Sequence, residues 1–241
     1  MSEYRNQSKG SSPKLLYRQQ SVYEDLRLNP SRNLNMNYTA PNIEMQPRPI
    51  VANNFRSSGD PKTDLVNSAA SAWSTFHPKG KAIKEKDPSV YGIINSYWKT
   101  GGRHKKDWKT DQHWSAAFIS TMVMQAGYKD FKFSAAHSDY VRQAVKNRKN
   151  NTGSYKGYKP EEMAVKVGDI IVAPDPIKSK HVTYDTDEYY ASHGDIVVSI
   201  DDGKVTTIGG NVSDTVGKQT FALDEDGKLK GTNHHVVIRF N

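Results

Sequence analysis

The chain is expected to fold as an α+β domain, with helices first, a small antiparallel sheet or half-barrel after them, and an extended arm ahead of both. Three observations lead there. Apolar residues recur at three- and four-residue spacing between about residues 60 and 145, β-branched runs broken by Asp-Gly or Pro dominate after Val165, and residues 1–60 follow neither pattern.

The first 60 residues are rich in Asn, Ser, Arg, Gln and Pro, with single apolar residues such as Leu15, Val22, Leu26, Leu34 and Ile43 at no sustained period. Such a segment buries too little apolar surface to offset the entropy of ordering it. It is expected to be an extended or disordered arm that docks onto other subunits of a larger assembly, its isolated apolar residues serving as anchors. The second domain is expected to span 61–241.

Asp60-Pro61 opens the first predicted helix, in which Leu65, Val66, Ala69, Ala72, Trp73 and Phe76 form a stripe that stops before Pro78. Asp87-Pro88 opens a second, carried by Val90, Ile93, Ile94, Tyr97 and Trp98 and ended by Gly101-Gly102. Arg103 to Lys109 is a basic loop. A third helix is expected from a Thr110 or Asp111 cap to a left-handed stop at Gly127, which places Ser115 in its first turn. A shorter helix is predicted from Ser134 through Val145, and the polar residues Asn147 to Lys159 are expected to be a surface loop. Strands are expected at Val165–Ala173, His193–Ile200, Lys204–Ile208 and His235–Phe240.

Composition limits the chemistry. With 241 residues, a net charge of +8 and no cysteine, the chain favours anionic partners and excludes disulfides, thiolate metal sites and a cysteine nucleophile. The first residues lack the apolar stretch of a secretory signal, and no run approaches a membrane span. If the protein acts outside the cell where it is made, something other than a conventional export signal is expected to carry it there. Asp175, Asp185, Asp187 and Glu188 lack the ligand spacing of a calcium loop, and Gly217-Lys218 lacks the earlier glycine of a phosphate loop. Neither a metal nor any other cofactor is expected, and nucleic acid is not an expected partner.

A hydroxyl in the first turn of a helix sits among converging backbone N–H groups, where developing negative charge is stabilised. Ser115 is so placed, and it needs a base to remove its proton. The segments 196–200 and 204–208 flank Asp201-Asp202-Gly203, which fits a three-residue hairpin loop. Pairing Ile200 with Lys204 then brings His193 opposite Asn211, so that the amide can orient the imidazole. A two-residue turn would place His193 across from Val212 instead.

The segments Trp114 to Ser120, Ser134 to Tyr140, Val167 to Ile171, Ser192 to Val198 and Gly209 to Val212 together resemble a bacterial and phage family catalogued as domain of unknown function 2272. That family is similar to the papain-like cell-wall amidases of the NlpC and CHAP kinds. The resemblance implies a papain-like fold, with nucleophile at Ser115, base at His193 and orienting residue at Asn211. Trp114, His137 and Asp195, in the same motifs, are expected to face substrate. Two positions depart from the pattern: Ser115 stands where those amidases have cysteine, and Gly209 stands where CHAP domains often have an acidic residue. The function so implied is hydrolysis of an amide bond of peptidoglycan, with peptidoglycan as partner. The alternative is a catalytically inactive attachment protein of a phage tail, baseplate or secretion assembly, docked through its arm.

Overall fold

The computed structural model describes residues 57–102 and 113–241. The basic loop from Arg103, and all but the last few residues of the expected arm, lie outside them. Among the described residues the fold is α+β, with four α-helices followed by an open antiparallel sheet of six strands. No helix among them is long and apolar enough to cross a membrane.

Helix α1, Pro61–Phe76, and α2, Pro88–Thr100, start by the same device. An aspartate caps the first turn, Asp60 accepting from the Thr63 amide at 3.0 Å and Asp87 from the Ser89 amide at 2.9 Å, and proline takes the first helical position. Helix α3, Ser115–Gln125, begins at Ser115 itself; its N-cap is Trp114 rather than Thr110 or Asp111, which fall outside the described residues. Gly127, at φ 91°, follows its end as expected.

Helix α4, His137–Asn150, starts later and runs further than its periodicity suggested. The supposed polar loop after it contains the end of α4 and a strand, β1, Tyr155–Tyr158. Asn147 explains the difference. It is a buried side chain whose amide donates to the Tyr155 carbonyl at 3.0 Å, so a residue that reads as surface ties α4 to β1.

The remaining strands are β2, Ile170–Pro174; β3, Ser192–Asp201; β4, Lys204–Val212; β5, Thr215–Ala222; and β6, Val236–Phe240. Their spatial order is β1-β6-β2-β3-β4-β5. Strict alternation divides the sheet's two faces. Ile170, Val172, Ile196, Ile208, Val236 and Ile238 pack with the helices. Ile171, Val197, Val205 and Val237 form a second apolar cluster, closed over by Phe221, Leu223 and Leu229.

The β3–β4 hairpin corrects the expected turn. Asp201 pairs with Lys204 around a two-residue turn, Asp202-Gly203, with φ of 47° and 66°, the left-handed pair that matches strand twist. A bulge between Val197 and Ser199 then inserts one residue, and beyond it Ile196 pairs with Ile208. The bulge thus restores, on the inner half of the hairpin, the register that a three-residue loop would have set.

Asp169, fully buried ahead of β2, accepts from Arg239 Nε at 2.9 Å and from Nη2 at 2.6 Å, clamping β2 to β6. Removing one member of such a pair strands a buried charge. Asp169→Ala is therefore expected to destabilise the domain by about 3–5 kcal/mol, read as a fall in the urea midpoint at unchanged slope.

Candidate functional site

Trp114 fixes where α3 begins. Its ring is fully buried between Phe76 and Tyr97, each with its centroid 5.9 Å away, and its Nε1 donates to Glu85 Oε2 at 2.8 Å. This corrects the expectation that Trp114 faces substrate: it belongs to the core and aims its neighbour. Ser115 becomes the first helical residue. The first intrahelical bond runs from the Phe118 amide to the Trp114 carbonyl, so the amides of Ser115, Ala116 and Ala117 precede the ladder, and no side chain caps them.

Ser115 opens onto a cleft of about 770 Å³, whose wall also includes His137, His193, Asp195, Asn211 and Tyr190. The hydrogen bond of the serine runs to His137: Oγ and Nε2 are 2.7 Å apart. The other nitrogen, Nδ1, is hydrogen-bonded to the Tyr140 hydroxyl one turn along α4. Burial, and then the nearby charge of His193, hold His137 well below the usual imidazole range, so it is neutral near neutrality. Burial also pushes the Tyr140 phenol well upward, keeping it protonated.

The ring approaches the sheet at Gly194. A Cβ there would lie 2.9 Å from His137 Nδ1, so any side chain at 194 would displace the imidazole.

His193 is also in the cleft wall, with its ring centroid 5.8 Å from that of His137. Its Nε2 is held at 2.9 Å by Asp195 Oδ1, two residues along the same strand face. The partner expected there was Asn211, which instead lines the cleft in a left-handed conformation, φ 58°. The side chain of His193 is 36 % exposed, whereas that of Asp195 is 2 % exposed. Burial alone would lower the His193 imidazole; the Asp195 carboxylate, as charge and as acceptor, outweighs it and raises the group above 6.5.

Period-two alternation explains why sequence spacing gave the serine to the wrong imidazole. The contacts of a Cβ at Gly194 and Gly210 point to the helices, meeting His137 and Phe118, whereas at Gly209 they point to Asp195 and His193. Register sets which residues of a hairpin lie opposite each other, and the pleat then sets which of them look toward α3.

Two further polar atoms lie in the cleft wall. Ser192 Oγ and His234 Nδ1 are buried without a hydrogen-bond partner among the described residues. Behind the wall, His235 Nδ1 donates to the Val172 carbonyl at 3.0 Å, which leaves Nε2 to accept from the Tyr190 hydroxyl at 2.7 Å. Burial pushes this imidazole down to about 4, so it stays neutral and fastens the 174–191 segment to the sheet. The acidic residues of that segment lie beside bases: Asp185 2.8 Å from Lys149, Asp187 3.9 Å from Arg142 and Glu188 3.2 Å from His181.

Residues 52–240 match the model of the bacterial family described as uncharacterized proteins conserved in bacteria, domain of unknown function 2272. The chain belongs to that family. No curated protein and no solved structure matches this member of domain of unknown function 2272. Several positions of the motifs quoted above acquire physical roles in this family member. Trp114 orients the serine, Asp169 clamps the sheet, and Gly194 and Gly209 make room for the two imidazoles.

Proposed function

We propose that this protein is a serine-dependent amide hydrolase of the cell wall, acting on peptidoglycan peptide or on its amide link to sugar. The observation that carries the reading is the 2.7 Å contact between Ser115 Oγ and His137 Nε2 at the mouth of a helix, inside a cleft. His137 is the base in place of the expected His193. With Nδ1–H donated to Tyr140, Nε2 is the lone-pair nitrogen and takes the serine proton as Oγ attacks the carbonyl carbon. The amides of Ser115, Ala116 and Ala117 supply donors for the oxyanion, favoured further by the helix dipole.

Three properties support a peptide-like polymer as substrate. Polar side chains such as Asn211, Gln219 and Asn233 in the cleft wall suit a ligand that hydrogen-bonds along its length. The excess of basic residues suits an anionic wall. The cleft, at about 770 Å³, is roomy enough for a stretch of peptide. A papain-like ancestry, with serine in place of the thiol, accommodates a helix-borne nucleophile ahead of the strand-borne His193, while the base itself, His137, comes from the start of α4. Delivery as part of a phage or secretion assembly, through residues 1–60, is part of the same proposal.

The test is digestion of purified peptidoglycan with wild type and with Ser115→Ala. Release of new amino groups or peptide termini by wild type, lost in the variant, is the expected result. Equal release by both would remove Ser115 from the mechanism. No release by wild type, or by Ser115→Cys, would leave the attachment role.

A further inference from the structure

The cleft holds more acid–base chemistry than a serine and one base require. His137 has both ring nitrogens committed, one to Ser115 and one to Tyr140, and it is almost wholly buried. His193 has one nitrogen committed, to Asp195, and a third of its side chain open to the cleft. The two rings are 5.8 Å between centroids, a spacing that fits two groups acting on the two ends of one scissile bond.

Space for the second pair has been cleared in the sheet. A Cβ on Gly209 would stand 1.8 Å from Asp195 Oδ1 and 3.1 Å from His193 Nε2. The carboxylate therefore occupies the volume that a side chain at 209 would fill. In this chain the acid comes from the strand that bears the histidine, and its neighbour across the ladder is bare.

We propose that His193, oriented by Asp195 over Gly209, is a second acid–base group that protonates the departing amine and so fits this cleft to amides rather than to esters. The inference rests on the Ser115–His137 reading above. In acylation the Ser115 proton passes to His137 Nε2 and Oγ bonds to the carbonyl carbon. The tetrahedral oxyanion collapses, the C–N bond breaks, and the nitrogen takes a proton from His193 Nδ1 to leave as a neutral amine. In hydrolysis of the acyl-serine, water gives a proton to His193 Nδ1 as its oxygen bonds to carbon. Ser115 Oγ then leaves with the proton held on His137. Both imidazoles return to their starting states, and one water has been added across the amide. Asp195 is a positioning residue in this scheme.

The experiment separates departure of a poor leaving group from attack by the serine. Amide cleavage is read on peptidoglycan, and acylation alone is read as the burst of nitrophenolate from p-nitrophenyl acetate, whose leaving group needs no proton. His193→Gln is expected to lower peptidoglycan cleavage by about 10²–10⁴-fold while keeping the burst rate. Asp195→Asn, and Gly209→Ala, which pushes the carboxylate aside, are expected to fall in the same selective way. Loss of the burst together with amide cleavage in His193→Gln would overturn the proposal and make His193 the base of Ser115. Unchanged amide cleavage in that variant would overturn it too. No nitrophenolate release by wild type above the rate without protein, or release that persists in Ser115→Ala, would instead overturn the serine reading beneath it, and this inference with it.

Discussion

Replacing His137 with glutamine is expected to slow acylation of Ser115 by about 10²–10⁴-fold, the usual contribution of a positioned general base. Glutamine fills similar space and can hydrogen-bond to the serine, but its amide cannot accept the proton. The loss should appear both in peptidoglycan cleavage and in the nitrophenolate burst, because His137 acts on the nucleophile before any leaving group is involved. Tyr140→Phe separates the base from its support. It removes the partner of Nδ1, which costs about 1–3 kcal/mol for a buried polar group left unsatisfied, and it leaves Nε2 able to accept the proton. A smaller rate loss than in His137→Gln is expected. Wild-type rates in His137→Gln, with its folded state verified by circular dichroism, would contradict the assignment.

The two imidazoles also predict an unusual pH profile. As base, His137 must be neutral. Burial, reinforced by the charge of His193, holds it well below 6.5, so the acidic limb of kcat/KM falls well below that value. As acid, His193 must be protonated, and the Asp195 carboxylate raises it above 6.5 despite burial, so the alkaline limb lies above that value. Amide cleavage should therefore show a plateau that straddles pH 6.5. Other titratable groups face the pair: His234 from the segment before β6, pushed down to about 4 by burial, and Tyr140 and Tyr190, pushed up by burial. His234 therefore lies below pH 6.5 and the two tyrosines lie well above it. Asp195→Asn removes what raises His193 and is expected to move the alkaline limb down while the acidic limb stays. A profile with one limb only, or an alkaline limb unmoved by Asp195→Asn, would contradict this division of labour.

Much of the frame was legible from local signals. The Asp-Pro starts of α1 and α2 and the glycine after α3 are caps whose physics is local, and each appears where the sequence placed it. Four of the six strands show as β-branched runs. The strands that escaped, β1 and β5, are short in aliphatic residues; Tyr155 and Tyr158 alternate with Lys156 and Gly157, and β5 interleaves Val216 and Phe221 with Gly217, Lys218 and Gln219. Their burial comes from tertiary contacts, Tyr155 against Phe131 and Phe240, which no short window contains.

The site was half legible. Its serine, both imidazoles, Asp195 and Asn211 were all marked, yet the pairing among them was not. Nothing in α4 itself points His137 to Ser115, 22 positions earlier in the chain, so its contact with the serine is a tertiary one that local spacing does not carry. Asp195 is expected to face substrate from its motif alone; its i, i+2 contact with His193 has room only because the facing residue, Gly209, has no side chain. That glycine was visible at 209 as a departure from the amidase pattern. Its meaning, an acid supplied from across the ladder, required the register that the Val197–Ser199 bulge sets.

The most direct measurement is the site and rate of covalent labelling by a fluorophosphonate, located by peptide mass spectrometry. This reagent reports an activated serine whatever the natural substrate is, and fluoride leaves without a proton donor. The account predicts a single adduct on Ser115, absent in Ser115→Ala, slowed by His137→Gln and retained in His193→Gln. An adduct on another residue, no adduct, or labelling of Ser115 that depends on His193 and not on His137 would contradict it.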